Sequence, residues 1–189
     1  IAQLAGAMSG EALSSLHHHL DGAWLLEAWR RTRQDGATGI DGQSAPQYAG
    51  NLHGNLADLL ERFKSGRYQA PPVRRVNIPK GDGASTRPIG IPTIEDKVMQ
   101  RAIVMLLEPI YEAEFKHFSF GFRPGKSAHD ALQHLWKQSM GAWGERPVRW
   151  MLDVDIKAFF DTLDHQHLRQ ILDRLSLIHI SEPTRRTPI

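Results

Sequence analysis

Apolar positions set out the elements before any chemistry is considered. Leu13, Leu16, Leu20 and Trp24 recur at helical spacing and predict a helix over Glu11 to Arg33, ended by Gly36 and Gly39. A second stripe, Leu56, Leu59, Leu60 and Phe63, predicts a helix over about Asn55 to Ser65, closed by Gly66. From Pro71 to Pro92 the pattern turns extended: Val73, Val76 and Ile78, then a Gly81-Asp82-Gly83 turn, then RPIGIP. This predicts a hairpin. Thr93 with Asp96 at the third helical position predicts a helix start. Val98, Ala102, Met105 and Leu106 form that helix's buried side, and Pro109 its expected end. Ser127 and Asp130 repeat the start signal for a helix bearing Ala131, Leu132, Leu135 and Trp136, closed near Gly141. Val148, Trp150, Leu152, Val154 and Ile156 then alternate with Arg149, Met151, Asp153 and Asp155, which predicts a short buried strand. Asp164 caps a last helix with Leu168, Ile171, Leu172 and Leu175 on one side. No internal repeat is visible.

Composition narrows the class only slightly. A chain of 189 residues allows one domain or part of one. With 41% hydrophobic and 23% charged residues it reads as an ordinary globular protein. No apolar run approaches the roughly 18 residues of a membrane helix, and Ile1 to Gly10 lacks the features of a signal peptide. Zero cysteines exclude disulfides and thiolate metal sites and fit a reducing compartment. His17, His18 and His19 point three ways around a helix, a poor arrangement for one metal ion. The net charge is only +2, yet Pro71 to Gly90 holds Arg74, Arg75, Lys80 and Arg87 against one acid, Asp82. Such a patch suits an anionic partner, although a solvated surface run would look the same.

The chemistry concentrates in MLDVDIKAFFDTLDH, Met151 to His165. The expected strand delivers Asp155 to its end, with Asp153 on the same side about 6–7 Å back. Phosphoryl transfer from a triphosphate needs Mg²⁺ held by carboxylates and cations against the phosphates. Asp155 could supply one carboxylate, and Lys80 and Arg87 could clamp phosphate from the two arms of the hairpin. Phe160 could lie flat against a sugar. Each residue also has a plainer reading: a local cap or salt bridge for the aspartates, a solvated face for the cations, core for Phe159 and Phe160. The DVD triplet also resembles the nucleophile motif of haloacid-dehalogenase phosphatases, but Lys157 stands where Thr or Val is usual.

Three blocks in order carry a more specific likeness: RRVNIPKGDGASTRPIGIPT, FSFGFRPGKSAHDAL and MLDVDIKAFFDTLDH. Together they closely resemble the first reverse-transcriptase blocks of group II intron-encoded reverse transcriptase/maturases, with GIDG and the Leu-rich helix similar to an upstream block. The likeness covers roughly Trp24 to Leu175. It implies an α+β fold, the fingers and partial palm of a right-hand polymerase. Residues 1–65 would be a helical N-terminal extension and first block, 66–147 fingers, and 148–175 the start of the palm. It further implies that Asp155 is catalytic and binds Mg²⁺, that Ile156 helps through its backbone, and that Lys80 and Arg87 hold the incoming dNTP. Phe160 would stack under the deoxyribose, and Arg74 and Arg75 would meet RNA. The implied partners are an intron RNA template, a DNA primer and dNTP, with no membrane, in a bacterial cytoplasm; nothing fixes the oligomeric state. Phe120 stands where Tyr is more usual. The family also carries a pair of adjacent aspartates, which this chain lacks, so the chain alone is expected to be inactive. A non-enzymatic RNA-binding maturase, or a diversity-generating or CRISPR-associated reverse transcriptase, are the alternatives. The tail LSLIHISEPTR, Leu175 to Arg185, reads residue for residue as a translated transposase-type sequencing adapter, so 176–189 are expected to be artefact and are left out of the fold.

Overall fold

Asp21 starts the first helix. Its carboxylate accepts the Trp24 N–H at 2.7 Å, and α1 runs Gly22–Arg31. The helix expected over Glu11 to Arg33 is therefore shorter. Leu16–His19 form a single 3-10 turn, and the rest of that N-terminal stretch lies outside the described residues. The computed structural model describes residues 16–79, 81, 85–140, 150–160 and 162–173.

A five-residue helix, α2 (Ala45–Ala49), was not legible in the hydrophobic pattern. A reciprocal box builds it: Ser44 Oγ accepts the Gln47 N–H, and Gln47 Oε1 accepts the Ser44 N–H at 2.8 Å. Asn55 of α3 (Leu52–Lys64) donates to the Tyr48 carbonyl at 2.8 Å, tying the two helices. The α3 stripe holds as expected, with Leu56 and Leu59 buried and Leu60 and Phe63 packed against the core. Gly66 closes it at φ +69, a left-handed value that glycine adopts without steric cost.

The hairpin also forms. Strand β1 (Arg74–Pro79) pairs antiparallel with β2 (Thr86–Ile91), Arg74 opposite Ile91 and Ile78 opposite Arg87. A Cβ added at Gly90 would meet Val73 Cγ2 at 2.8 Å, so the base of the hairpin closes over a residue without a side chain.

Helix α4 (Ile94–Glu114) is the spine. Thr93 Oγ1 caps it through the Asp96 N–H at 3.2 Å. Val98, Ala102, Met105 and Leu106 are buried against Leu25, Ala28 and Trp29 of α1, and the Trp24 indole donates to the Ala102 carbonyl at 3.0 Å. Arg62 of α3 bridges Asp58 on its own helix and Glu95 of α4, both at 2.7 Å. Asp96 is buried and accepts from Tyr68 Oη and Gln100 Nε2 rather than closing a capping box. Pro109 does not end this helix, contrary to expectation: α4 runs one more turn to Glu114. A proline forfeits one backbone hydrogen bond, and burial of Ile110 beyond it favours continuation.

The predicted helix starts at Ser127 and Asp164 are also found. Helix α5 (Ala128–Ser139) has a full capping box, Ser127 with Asp130. In α6 (His165–Asp173), Asp164 accepts from the Gln166 N–H at 2.7 Å. Their apolar faces are a different matter: α5 buries no residue, and Leu132 and Trp136 are more than half exposed.

Of the strand expected over Val148 to Ile156, the described part, residues 150–156, is not formed. Residues 141–149 lie outside the described ones, and 150–156 carry no strand assignment. Trp150, Leu152, Val154 and Ile156, the expected buried face, are all exposed. Strand geometry is held by a neighbour's N–H and C=O groups, and the only pairing among the described residues is β1 with β2. The described architecture is thus mixed: a helical core with one small antiparallel sheet.

Candidate functional site

Register divides the hairpin's cations between two faces. Side chains alternate along a strand, so Arg74 and Arg87 share a face with Val76, Ile78, Ile89 and Ile91, while Arg75 lies on the opposite one. Arg74 is half-buried, and its Nε donates to the Thr38 carbonyl at 2.9 Å, so part of this guanidinium secures the Asp35–Gly42 loop. Arg75 and Arg87 are exposed, with no salt bridge among the described residues. Lys80 lies outside the described residues.

The loop that receives Arg74 is held from both sides. Lys97 Nζ of α4 donates to the Ala37 carbonyl at 2.7 Å. A Cβ at Gly39 would sit 2.5 Å from Thr93 Cα, so the loop touches the α4 cap at van der Waals closeness.

Asp155 and Asp153 lie in the segment without regular structure before a turn over residues 157–160, and both are exposed. Ile156 is exposed too, and Phe160 is 86% exposed with its ring edge-on to Phe159 at 5.2 Å. Ala158 takes φ +52, a left-handed value unusual for a residue with a Cβ, and its carbonyl accepts both the N–H and the hydroxyl of Thr162 at 3.0 Å. No hydrogen bond or ion pair of the described residues joins Asp155 to the hairpin. A divalent cation of the Mg²⁺ kind needs several converging oxygen donors. Asp155 and Asp153 have the right donor chemistry, yet among the described residues no three acidic or imidazole groups converge. The described residues do not complete such a site, and no chemical step is assigned through one.

Sequence reasoning missed Arg123, in the FSFGFRPG block. Its guanidinium pairs with Glu112 of α4 at 2.9 and 3.0 Å, donates to the Lys116 and Ser119 carbonyls at 2.9 and 3.0 Å, and lies over the Phe115 ring. Arg123 is thereby spent on holding its own loop against the end of α4. That pairing keeps the Glu112 carboxyl below its ordinary pKa. The neighbouring Phe122 takes φ +56 and is fully exposed, a conformation the anchored Arg123 helps to hold. A composition of RPG flanked by aromatics signals a turn, but not which cation is buried in it.

The family described as Reverse transcriptase (RNA-dependent DNA polymerase) matches residues 78–183. Protein YkfC of Escherichia coli K12 is 38% identical over 154 residues, 80% of this chain and 40% of that protein. Group II intron-encoded protein LtrA of Lactococcus lactis is 42% identical over 110 residues, 58% of this chain and 17% of that protein. Nuclear intron maturase 1, mitochondrial, of Arabidopsis thaliana is 26% identical over 107 residues, 53% of this chain and 14% of that protein. The chain therefore spans less than half the length of these curated relatives.

Proposed function

The chain belongs to the reverse transcriptase (RNA-dependent DNA polymerase) family, and from that premise we propose that it supplies the fingers and the first palm carboxylate of a group II intron enzyme. That enzyme copies RNA into DNA with dNTP and assists splicing of its intron RNA. The observation that carries the reading is the family match across residues 78–183, which takes in Lys80 and Arg87 of the hairpin and the Asp155 segment. The relatives named as a group II intron-encoded protein and an intron maturase support the intron class.

In this reading residues 66–147 are fingers and 148–175 open the palm of a right hand. Arg87 and Lys80 hold the triphosphate, because a planar fork and a point charge together suit a flexible polyphosphate. Phe160 offers a ring face to the deoxyribose, and the Ile156 backbone lines the same nucleotide. Asp155 contributes one carboxylate to the Mg²⁺ set of the whole protein. Arg75, exposed on the other face of the hairpin, meets template phosphate.

The test uses the longer natural protein with a DNA primer annealed to RNA. Asp155→Ala is expected to abolish cDNA synthesis while RNA affinity stays within about threefold, since a lost charge of the same sign as phosphate does not weaken binding. Continued cDNA synthesis by that variant would refute the assignment. The 189-residue chain alone, which contains no adjacent aspartates, is expected to incorporate no dNTP in the same assay.

A further inference from the structure

A cavity of about 360 Å³ opens between the C-terminal end of α1 and the N-terminal half of α4, away from the Asp155 segment in sequence. Thr32, Arg33, Gly36, Lys97, Gln100, Arg101 and Val104 line it. Three of these are cations and none is a carboxylate. Lys97 and Arg101 stand one helical turn apart on α4, so they present charge along one strip, with Val104 continuing it. Lys97 is fixed in place by the Ala37 carbonyl, and Arg33 leans on Asp35 at 2.5 and 3.1 Å. Arg101 is exposed, with no carboxylate bridging it among the described residues. Gln100 spends its amide N–H on Asp96, which leaves its oxygen as an acceptor at the rim.

We infer that this cavity is a phosphate-binding seat for an RNA strand. The inference rests on the reading that the chain binds RNA, and it adds a contact separate from the hairpin. Charge complementarity favours an anion. Continuity favours a long one: Lys97 grips the Ala37 carbonyl and Arg74 of the hairpin grips the next, Thr38. The cavity and the base of the hairpin therefore flank one loop, within reach of successive phosphates on a single strand. The volume falls in the range of small-ligand pockets, wider than a lone phosphate needs, and the exposed Val104 and the Gly36 backbone leave room for a sugar. Arg33 and Arg101 close on the phosphate oxygens, and Asp35 keeps the Arg33 fork extended until the strand arrives.

The experiment measures binding of a fluorescein-labelled 20-nucleotide single-stranded RNA to the 189-residue chain, fused to a soluble carrier, across a salt series. Arg33→Gln and Arg101→Gln are each expected to weaken binding about three- to tenfold and to lower the slope of log affinity against log salt by about 0.7, the double variant by about 1.4. Arg101→Lys should restore the slope. Thermal melts by circular dichroism identify any variant that fails to fold, and the Arg101→Lys comparison then decides. An unchanged slope in the folded double variant overturns the inference, while loss in Arg75→Gln would leave the hairpin reading standing. Loss at the cavity with no loss at the hairpin supports the inference and removes the hairpin from RNA binding. No binding by the parent chain overturns the inference, and cDNA synthesis by the longer protein still tests the polymerase reading. Phosphate is common to RNA and DNA, so a DNA 20-mer is measured alongside; an effect confined to DNA overturns the RNA assignment.

Discussion

Tyr48 is buried against Trp29 with rings 5.5 Å apart, and its hydroxyl has no hydrogen-bond partner among the described residues. Burial pushes its phenol pKa well above the ordinary range, with the Glu95 charge adding to it. Tyr48→Phe is therefore expected to stabilise the fold by about 1 kcal/mol in urea unfolding, because an unsatisfied buried hydroxyl costs more than it returns. Because burial disfavours the ionised phenol, this group leaves stability unchanged below the ordinary tyrosine value of about 10 and lowers it as pH rises above that, where only the unfolded chain ionises. The phenylalanine variant should lose that part of the alkaline decline. Gly39 is a second test. Gly39→Ala drives a methyl into the Thr93 backbone and should cost about 1–3 kcal/mol, whereas Gly42→Ala, at φ +68 with open space around it, should cost about 1 kcal/mol from backbone strain alone. At Glu112 the sign is that of a depressed carboxylate. The Arg123 contact is fully present above the ordinary glutamate value of about 4.3 and is lost as pH falls through the depressed one. Protection factors for amide exchange at Ser119 and Lys126, whose N–H groups bond within the loop, should fall in acid once the intrinsic slowing of exchange is divided out, and Arg123→Gln should lower them at neutral pH too.

Elements were legible where local chemistry decides them. Thr93, Ser127 and Asp164 cap the helices the sequence assigns to them, and the hairpin pairs as its turn residues imply. The short α2 escaped because five residues are too few for a hydrophobic period, and its Ser44–Gln47 box was the available signal. Pro109 misled because local propensity was overruled by packing of Ile110. The Val148–Ile156 strand misled for the opposite reason. Its alternation is genuine, but alternation specifies a face, and a strand also requires a neighbour that the described residues do not provide. Helix α5 separates the two effects experimentally. Among the described residues its amphipathic face holds no buried residue, so Leu132→Gln with Trp136→Gln should leave the unfolding free energy in urea within about 0.5 kcal/mol. The same pair should reduce sedimenting aggregate, which ultracentrifugation measures directly.

At the scale of the molecule, burial is uneven. The buried core runs from Leu20 to Ile110 through α1, α2, α3 and α4, and every residue of Trp150 to Phe160 is exposed. Leu59→Ala should accordingly cost about 3–5 kcal/mol, while Leu152→Ala should change unfolding hardly at all. The candidate site was legible as chemistry and not as geometry. Residue order named Asp155, Arg87 and Phe160, yet their convergence depends on contacts between segments far apart in the chain, which neither periodicity nor motif spacing encodes. Arg33, Lys97 and Arg101 escaped for the same reason, since only folding brings α1 beside α4.

The grip of Arg74 on Thr38 has a mechanical side. The hairpin is fastened at its root and projects from there, so it behaves as a cantilever. Arg87 stands opposite Ile78, four residues out from the Arg74 rung and thus about 14 Å along the arm. A tilt of a few degrees at the root sweeps the arginine through about an ångström. The loop that Lys97 and Gly39 clamp to α4 is therefore the bearing on which the reach of that guanidinium turns, and stiffening or loosening it tunes the arm without touching its tip.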